Sequence, residues 1–256
     1  KNFMGNVIKK NQLPCEKGFT LEHKLSEKEL EFFRNSISSQ WIAKIFESNP
    51  FLGKKIKESS ISIENYHLIS NDLEHSKIWN KSSRILNEEF VNWFLNSDFA
   101  NLLEKKFGKF IISDEDNLGF SNIYWRLVRP KQPEDIGPLH RDSWFWELND
   151  NFPKPNNDFY RLKVWIPIYT EIGLNGLLVE PFSQFRENIK WNGEKRHGIK
   201  KPLLITPLSN LYPVLIKSEP GNAVIFNDNL IHGGALNNGS KCRVSVEFTM
   251  IFEDKK

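Results

Sequence analysis

The sequence predicts a mainly β protein, an antiparallel sandwich or jelly roll, with a helical segment packed on its outside. Three observations predict it. Over roughly the first 110 of the 256 residues, apolar side chains recur at helical spacing. After Gly108 the period shortens to two, in short β-branched and aromatic runs broken by Pro and Gly. Few helical patterns intervene between those runs, which argues against a doubly wound parallel sheet.

The elements follow in order. Ser26 with Glu29 three residues later reads as a capping box, and Leu30, Phe33, Ile37, Trp41 and Ile45 continue at helical spacing. The stretch from Pro50 to Ser83 is mixed and has no clear period. Ile85, Phe90, Trp93, Phe94, Phe99, Leu102 and Leu103 repeat the helical pattern, and Gly108 is a natural stop. The expected strands then lie in "NIYWRLVRP", "GPLHRDSWFWEL", "FYRLKVWIPIY", "LLVEPFSQF", "PVLIKSEPGNAVIFNDNLIHGG" and "KCRVSVEFTMIF". Glu219–Asn222 and Leu236–Lys241 read as turns. Asn149–Asp158 is the most loop-like stretch and a candidate lid at a pocket mouth. Lys190–Lys201 reads as a basic, solvated loop. No repeat or long linker divides the chain, so one domain over residues 1–256 is expected: a helical part to about residue 110 and a β core over 111–256.

Composition narrows the function classes. The chain is 39% hydrophobic and 26% charged, enough for a sizeable core. A net charge of +3 is mixed and demands no nucleic-acid partner. Cys15 and Cys242 make neither a disulfide framework nor a cysteine zinc site. With no signal-peptide core and no membrane span in the sequence, the expectation is a cytoplasmic protein acting on a small molecule. The 20 Phe, 8 Trp and 5 Tyr mostly fill a core, with some left to line a pocket.

Chemistry concentrates in two histidines of six. His23, His67, His75 and His197 have polar neighbours and read as surface residues. His140 and His232 each end an apolar run. On a strand, His140 and Asp142 would project to one side, either as a hydrogen-bonded core pair or as two legs of a metal site. His232 adds a third leg. Two histidines and one carboxylate suit ferrous iron with open positions, and the ligand types also admit zinc. In the last run Lys241, Arg243, Ser245, Glu247 and Thr249 alternate with Cys242, Val244, Val246, Phe248 and Met250. The second set belongs against helices. The first meets water or lines an interior near the metal, where Arg243 and Ser245 would grip a carboxylate. If the His140 strand runs on, Trp144 and Trp146 share its face, as core or beside a substrate. Arg161 and Lys163 share a strand face with Trp165, as solvent-facing bases or anion contacts.

His140-x-Asp142, "LKVWIPI", "NGLLVEPFSQF", "PGNAVIFNDNLIHGG" and Arg243-x-Ser245 together resemble the Fe(II)/2-oxoglutarate-dependent dioxygenases, and within them the phytanoyl-CoA dioxygenase-like branch. The likeness covers about residues 120–252. It implies a double-stranded β-helix, a cupin-like jelly roll. It implies iron on His140, Asp142 and His232, and the 2-oxoglutarate C5 carboxylate on Arg243 with Ser245. It places Trp165, Tyr124 and Arg126 near the co-substrate, and Trp144, Trp146, Arg161 and Lys163 near the substrate. The implied activity is hydroxylation of an unactivated C–H in a small molecule or a saccharide or lipid precursor, consuming O2 and releasing succinate and CO2. Two departures stand out: Arg141 replaces a frequent Gln, an outward-pointing position on a strand, and Gly234 replaces a frequent Ser. Asp142 itself argues against a halogenase. The rival readings are a non-catalytic jelly-roll binding protein and a cupin isomerase or hydrolase that does not use 2-oxoglutarate.

Overall fold

The computed structural model describes residues 13–148, 159–196 and 199–253. The expected lid at Asn149–Asp158 and His197 lie outside them.

Helix α1 (Glu27–Ser48) starts where its capping box does. Ser26 Oγ accepts from the Glu29 amide, and Glu29 Oε2 accepts from the Ser26 amide at 2.8 Å. The five periodic residues Leu30, Phe33, Ile37, Trp41 and Ile45 are all buried, each contributing about 1.5–3 kcal/mol of apolar burial. Asn49 then caps α2 (Pro50–Ser59), with Pro50 in its first turn. Short 3-10 segments, none longer than Ile63–Leu68, and the four-residue α3 (His75–Ile78) fill the stretch to residue 84. Turns this short carry no periodicity to read. The second helical pattern is two helices, α4 (Glu88–Leu95) and α5 (Asp98–Phe107), not one. Ser97 causes the break, because its Oγ accepts from the Ala100 amide at 3.1 Å and starts a new helix. Glu29 Oε1 accepts from the Phe99 amide at 2.8 Å and ties α1 to α5.

The strands are β1 (Phe19–Lys24), β2 (Ile111–Ile112), β3 (Tyr124–Val128), β4 (Phe159–Tyr169), β5 (Leu177–Val179), β6 (Trp191–Arg196), β7 (Ile199–Leu204), β8 (Val214–Leu215), β9 (Asn222–Asn227), β10 (His232–Gly234) and β11 (Arg243–Glu253). All named pairings are antiparallel. The large sheet runs β1-β9-β4-β11-β2, with β3 also on β11; a small sheet runs β10-β5-β8, and β6 pairs only with β7. Among the described residues the sheets are open and no barrel closes. On the large sheet, Val244, Val246, Phe248 and Met250 of β11, Leu162, Val164 and Ile166 of β4, and Trp125 and Leu127 of β3 join the helices in one apolar cluster. The other face carries Arg243, Ser245, Glu247 and Thr249, as alternation requires. A second cluster, with Phe19, Trp165, Val224 and Phe226 from the large sheet and Leu177 and Val179 from the small one, packs the two sheets together.

Four expectations are corrected. Residues 142–148 form helix α6 (Asp142–Leu148), not a strand. His140 makes only an isolated bridge to His232, and the chain then turns. The helix wins because Trp144 and Leu148, one turn apart, both reach the β6–β7 hairpin: Trp144 stacks on Trp191 at 5.1 Å, and Leu148 packs against Gly193. Trp144 and Trp146 therefore diverge instead of sharing a face. The basic stretch 190–201 is largely that hairpin, not a loop. Residues 236–241 carry the chain from the small sheet to the large one; Asn237 braces them, donating to Val128 O at 3.0 Å and Lys241 O at 2.8 Å. The turn at Glu219–Asn222 is as expected, with Gly221 at φ +80°. The histidines expected at the surface are not free there. His23 is buried edge-on to Phe107. His75 sits between the Tyr66 hydroxyl at 3.1 Å and Asp135 at 3.3 Å. His67 lies 3.5 Å from Cys242 Sγ. Cys15 and Cys242 are both free thiols. Among the described residues, no helix is long and apolar enough to cross a membrane.

Candidate metal centre and co-substrate pocket

Three elements bring His140, Asp142 and His232 together. His140 and His232 exchange backbone hydrogen bonds at 2.9 and 3.0 Å, which sets their rings 4.4 Å apart. The approach needs Gly233, since a Cβ there would sit 3.1 Å from Pro138 O and 3.2 Å from Leu139 N. Asp142 opens α6, and the Ser143 amide donates to Asp228 O at 3.0 Å, holding the turn in place.

The tautomers follow from geometry. His140 Nδ1 is 2.8 Å from Pro138 O, and His232 Nδ1 is 2.9 Å from Leu230 O. A carbonyl only accepts, so each Nδ1 carries the proton and each Nε2 presents a lone pair. Both Nε2 atoms face Asp142 Oδ1, at 3.3 and 3.6 Å. The three candidate ligand atoms lie within 4.8 Å of one another. Burial, and then His232, push the His140 imidazole down, towards its neutral form. Burial alone would raise Asp142, but the charge of Lys163 foremost holds it well below the usual carboxylate range. Two neutral imidazoles and an ionised carboxylate are the states a metal requires. The donor set fits a divalent metal.

Arg243 is 2% exposed. Its Nη1 donates to Gly176 O at 2.9 Å, and its guanidinium carbon lies 5.6 Å over the Trp165 ring. No carboxylate among the described residues bridges to it. Its Nε and the nearby Ser245 Oγ are buried with no partner. Burial, and then Arg126, push Arg243 down to about 10, with Glu247 opposing. A buried guanidinium beside an orphaned hydroxyl is an incomplete carboxylate site, so a 2-oxoglutarate carboxylate fits.

The remaining candidates divide. Lys163 is buried, not solvent-facing, with Nζ 3.8 Å from Asp142 Oδ2 and 3.9 Å from Glu115 Oε1. Arg161 is also turned inward; it donates to Asp228 Oδ2 at 2.8 Å and lies 4.5 Å over Trp146, bracing α6. Arg126 donates from Nε to Glu247 Oε1 at 2.7 Å. The Tyr124 hydroxyl is taken up at 3.2 Å by Asp116 and Asn122, away from Arg243. Trp144 belongs to the cluster with Ile189, Leu211 and Ile231. Arg141 does not point outward: its Nη2 donates to Ser183 O at 2.6 Å and Arg186 O at 2.7 Å, pinning that loop to the metal residues. Glu115, Glu247 and Asp228 were not singled out in the sequence. Glu247 lies on the polar face of the last run and was findable there. Glu115 sits in a loop with no pattern around it.

No protein-family model matches the chain, and no curated protein matches it. Solved structures do. The non-heme alpha-ketoglutarate-dependent carbocyclase SnoK from nogalamycin biosynthesis superposes with a TM-score of 0.51 at 12% identity, over 92% of this chain and 80% of SnoK. EvdO2 from Micromonospora carbonacea var. aurantiaca, complexed with 2-oxoglutarate, gives 0.44 at 16% identity over 65% of each chain. The nickel complex of the non-heme monooxygenase ThoJ gives 0.47 at 10% identity, over 94% of this chain and 77% of ThoJ. At low sequence identity, then, the chain shares the fold of SnoK.

Proposed function

We propose that this chain is an Fe(II)- and 2-oxoglutarate-dependent oxygenase. One observation carries the reading: two incomplete sites share one interior. Three candidate ligand atoms for a cation converge there, and a buried guanidinium lies there beside a hydroxyl that no protein group among the described residues partners. A carbohydrate-binding jelly roll needs neither. His140, Asp142 and His232 would hold the iron, the two-histidine, one-carboxylate set of such enzymes. When bound, the iron supplies the redox chemistry with O2 that no side chain can. Arg243 and Ser245 would take the distal carboxylate of 2-oxoglutarate, with Trp165 as a wall. Pro138 O and Leu230 O fix the imidazoles, and Lys163 fixes Asp142 Oδ2. We read the two packed sheets as a double-stranded β-helix in a single domain, its motifs closest to the phytanoyl-CoA dioxygenase-like branch. The reaction we expect is C–H hydroxylation of a small molecule or a saccharide or lipid precursor.

Anaerobic titration with Fe(II) and 2-oxoglutarate tests this. The chelated complex has a weak visible charge-transfer band. The band should appear, and should vanish in Arg243→Ala at the same ligand concentrations. Iron binding without the band points to a cupin of other chemistry. No metal binding leaves His140 and Asp142 as a core pair.

A further inference from the structure

The interior face holds more cationic donors than its carboxylates use. Arg126 of β3 faces the side of Ser245, its cross-strand partner, and of Glu247. Only its Nε is engaged, by Glu247 at 2.7 Å; no protein acceptor among the described residues meets Nη1 or Nη2. The side chain keeps 41% of its surface accessible, although Tyr124 and Val128 on the same strand face are buried. Arg126 therefore presents a free guanidinium edge to open space.

Arg84 backs it. The turn before Ile85 runs along the free edge of β3, where Ile85 bridges Tyr124. Arg84 Nη1 donates to Trp125 O and its Nε to Trp79 O, both at 2.8 Å, and no carboxylate among the described residues pairs with it. That Nη1 contact sets Arg84 on the carbonyl of the residue next to Arg126, and burial first, with the charge of Arg126 second, pushes Arg84 down to about 10. Other cations nearby are answered: Lys163 by Glu115 and Asp142, Arg161 by Asp228, and Lys81 by Asp116 at 2.8 Å. Arg243 and the metal account for the carboxylates of 2-oxoglutarate. Arg84 and the outer edge of Arg126 remain. Two neighbouring guanidiniums served by one carboxylate are costly unless an anion joins them.

We propose that the free edge of Arg126, backed by Arg84, binds an oxyacid group on the substrate, a carboxylate or a phosphate, so that the molecule oxidised is an anion. This rests on the oxygenase reading only in calling the ligand a substrate.

The test uses the full chain, anaerobic and saturated with Fe(II) and 2-oxoglutarate so that Arg243 is occupied. Sulfate and acetate are titrated against chloride at constant ionic strength, with Tm as the readout. At least one anion should raise Tm saturably. Arg126→Lys keeps a charge for Glu247 and loses the fork; its half-saturation should rise roughly tenfold, the loss of one charge-assisted hydrogen bond. Should that variant not fold, Arg84→Gln carries the same test. Arg243→Met should keep the anion response and lose that to 2-oxoglutarate. General salting effects are shared by every variant and cancel. The proposal is overturned if neither anion acts on the unsubstituted chain, if the variants respond unchanged, or if Arg126→Lys loses the 2-oxoglutarate response, which would make Arg126 a co-substrate residue. If 2-oxoglutarate never acts while an anion does and Arg126→Lys weakens it, the oxygenase reading falls and the anion site stands.

Discussion

Replacing Arg243 by Met should stabilise the metal-free protein while destroying its use of 2-oxoglutarate. Arg243 is buried with one protein acceptor, Gly176 O, and an orphaned Nε. Exchanging buried ionic groups for hydrophobes of similar volume often stabilises by about 1–4 kcal/mol. Against this, Gly176 O loses its donor, at about 1–3 kcal/mol. A net gain of about 1 kcal/mol is expected, or roughly 2–4 °C in Tm for a chain of this size. Co-substrate binding moves the other way. Two charge-assisted hydrogen bonds, about 1.5–3 kcal/mol each, amount to roughly a hundredfold to ten-thousandfold in Kd. Thermal melts of the metal-free chain with and without Arg243 give the first number, and 2-oxoglutarate titration of the metal-loaded chain gives the second. A variant that melts lower and still binds 2-oxoglutarate normally would refute the reasoning, because Arg243 would then be structural.

Other outcomes follow from the same geometry. His140→Ala and Asp142→Ala should keep the fold and lose metal-dependent stabilisation, about 2.7 kcal/mol at a hundred times Kd; substantial substrate-stimulated succinate formation in either variant would count against the site. Lys163→Met should cost about 3–5 kcal/mol by leaving Asp142 buried without its lysine, read from denaturant midpoints. Burial pushes the His75 imidazole down from 6.5 to about 4. Between those pH values the unfolded chain binds a proton that the folded chain refuses, so stability falls as pH drops through that window. His75→Gln should flatten that slope, and an unchanged slope would place the effect elsewhere. Burial pushes the Cys242 thiol up to about 12, so iodoacetamide should label Cys15 in the folded protein and Cys242 only on unfolding.

Much of this was legible in the sequence, for a physical reason. Capping and periodicity act within a few residues, so Ser26 with Glu29 and the buried stripe of α1 could be read directly. Strand alternation likewise assigned Val244, Val246, Phe248 and Met250 to the helices and left Arg243 and Ser245 opposite. What failed was decided by contacts distant in sequence. The run after His140 has a strand-like pattern, yet it is helical because Trp144 and Leu148 meet the β6–β7 hairpin. Arg161 and Lys163 look like solvent-facing bases until the fold sets Asp228, Glu115 and Asp142 beside them. His140, Asp142 and His232 were nameable from residue type and spacing, but their convergence depends on backbone pairing between segments far apart in the chain. Local rules specify which side chains share a face; only the packed sheets decide what that face encloses.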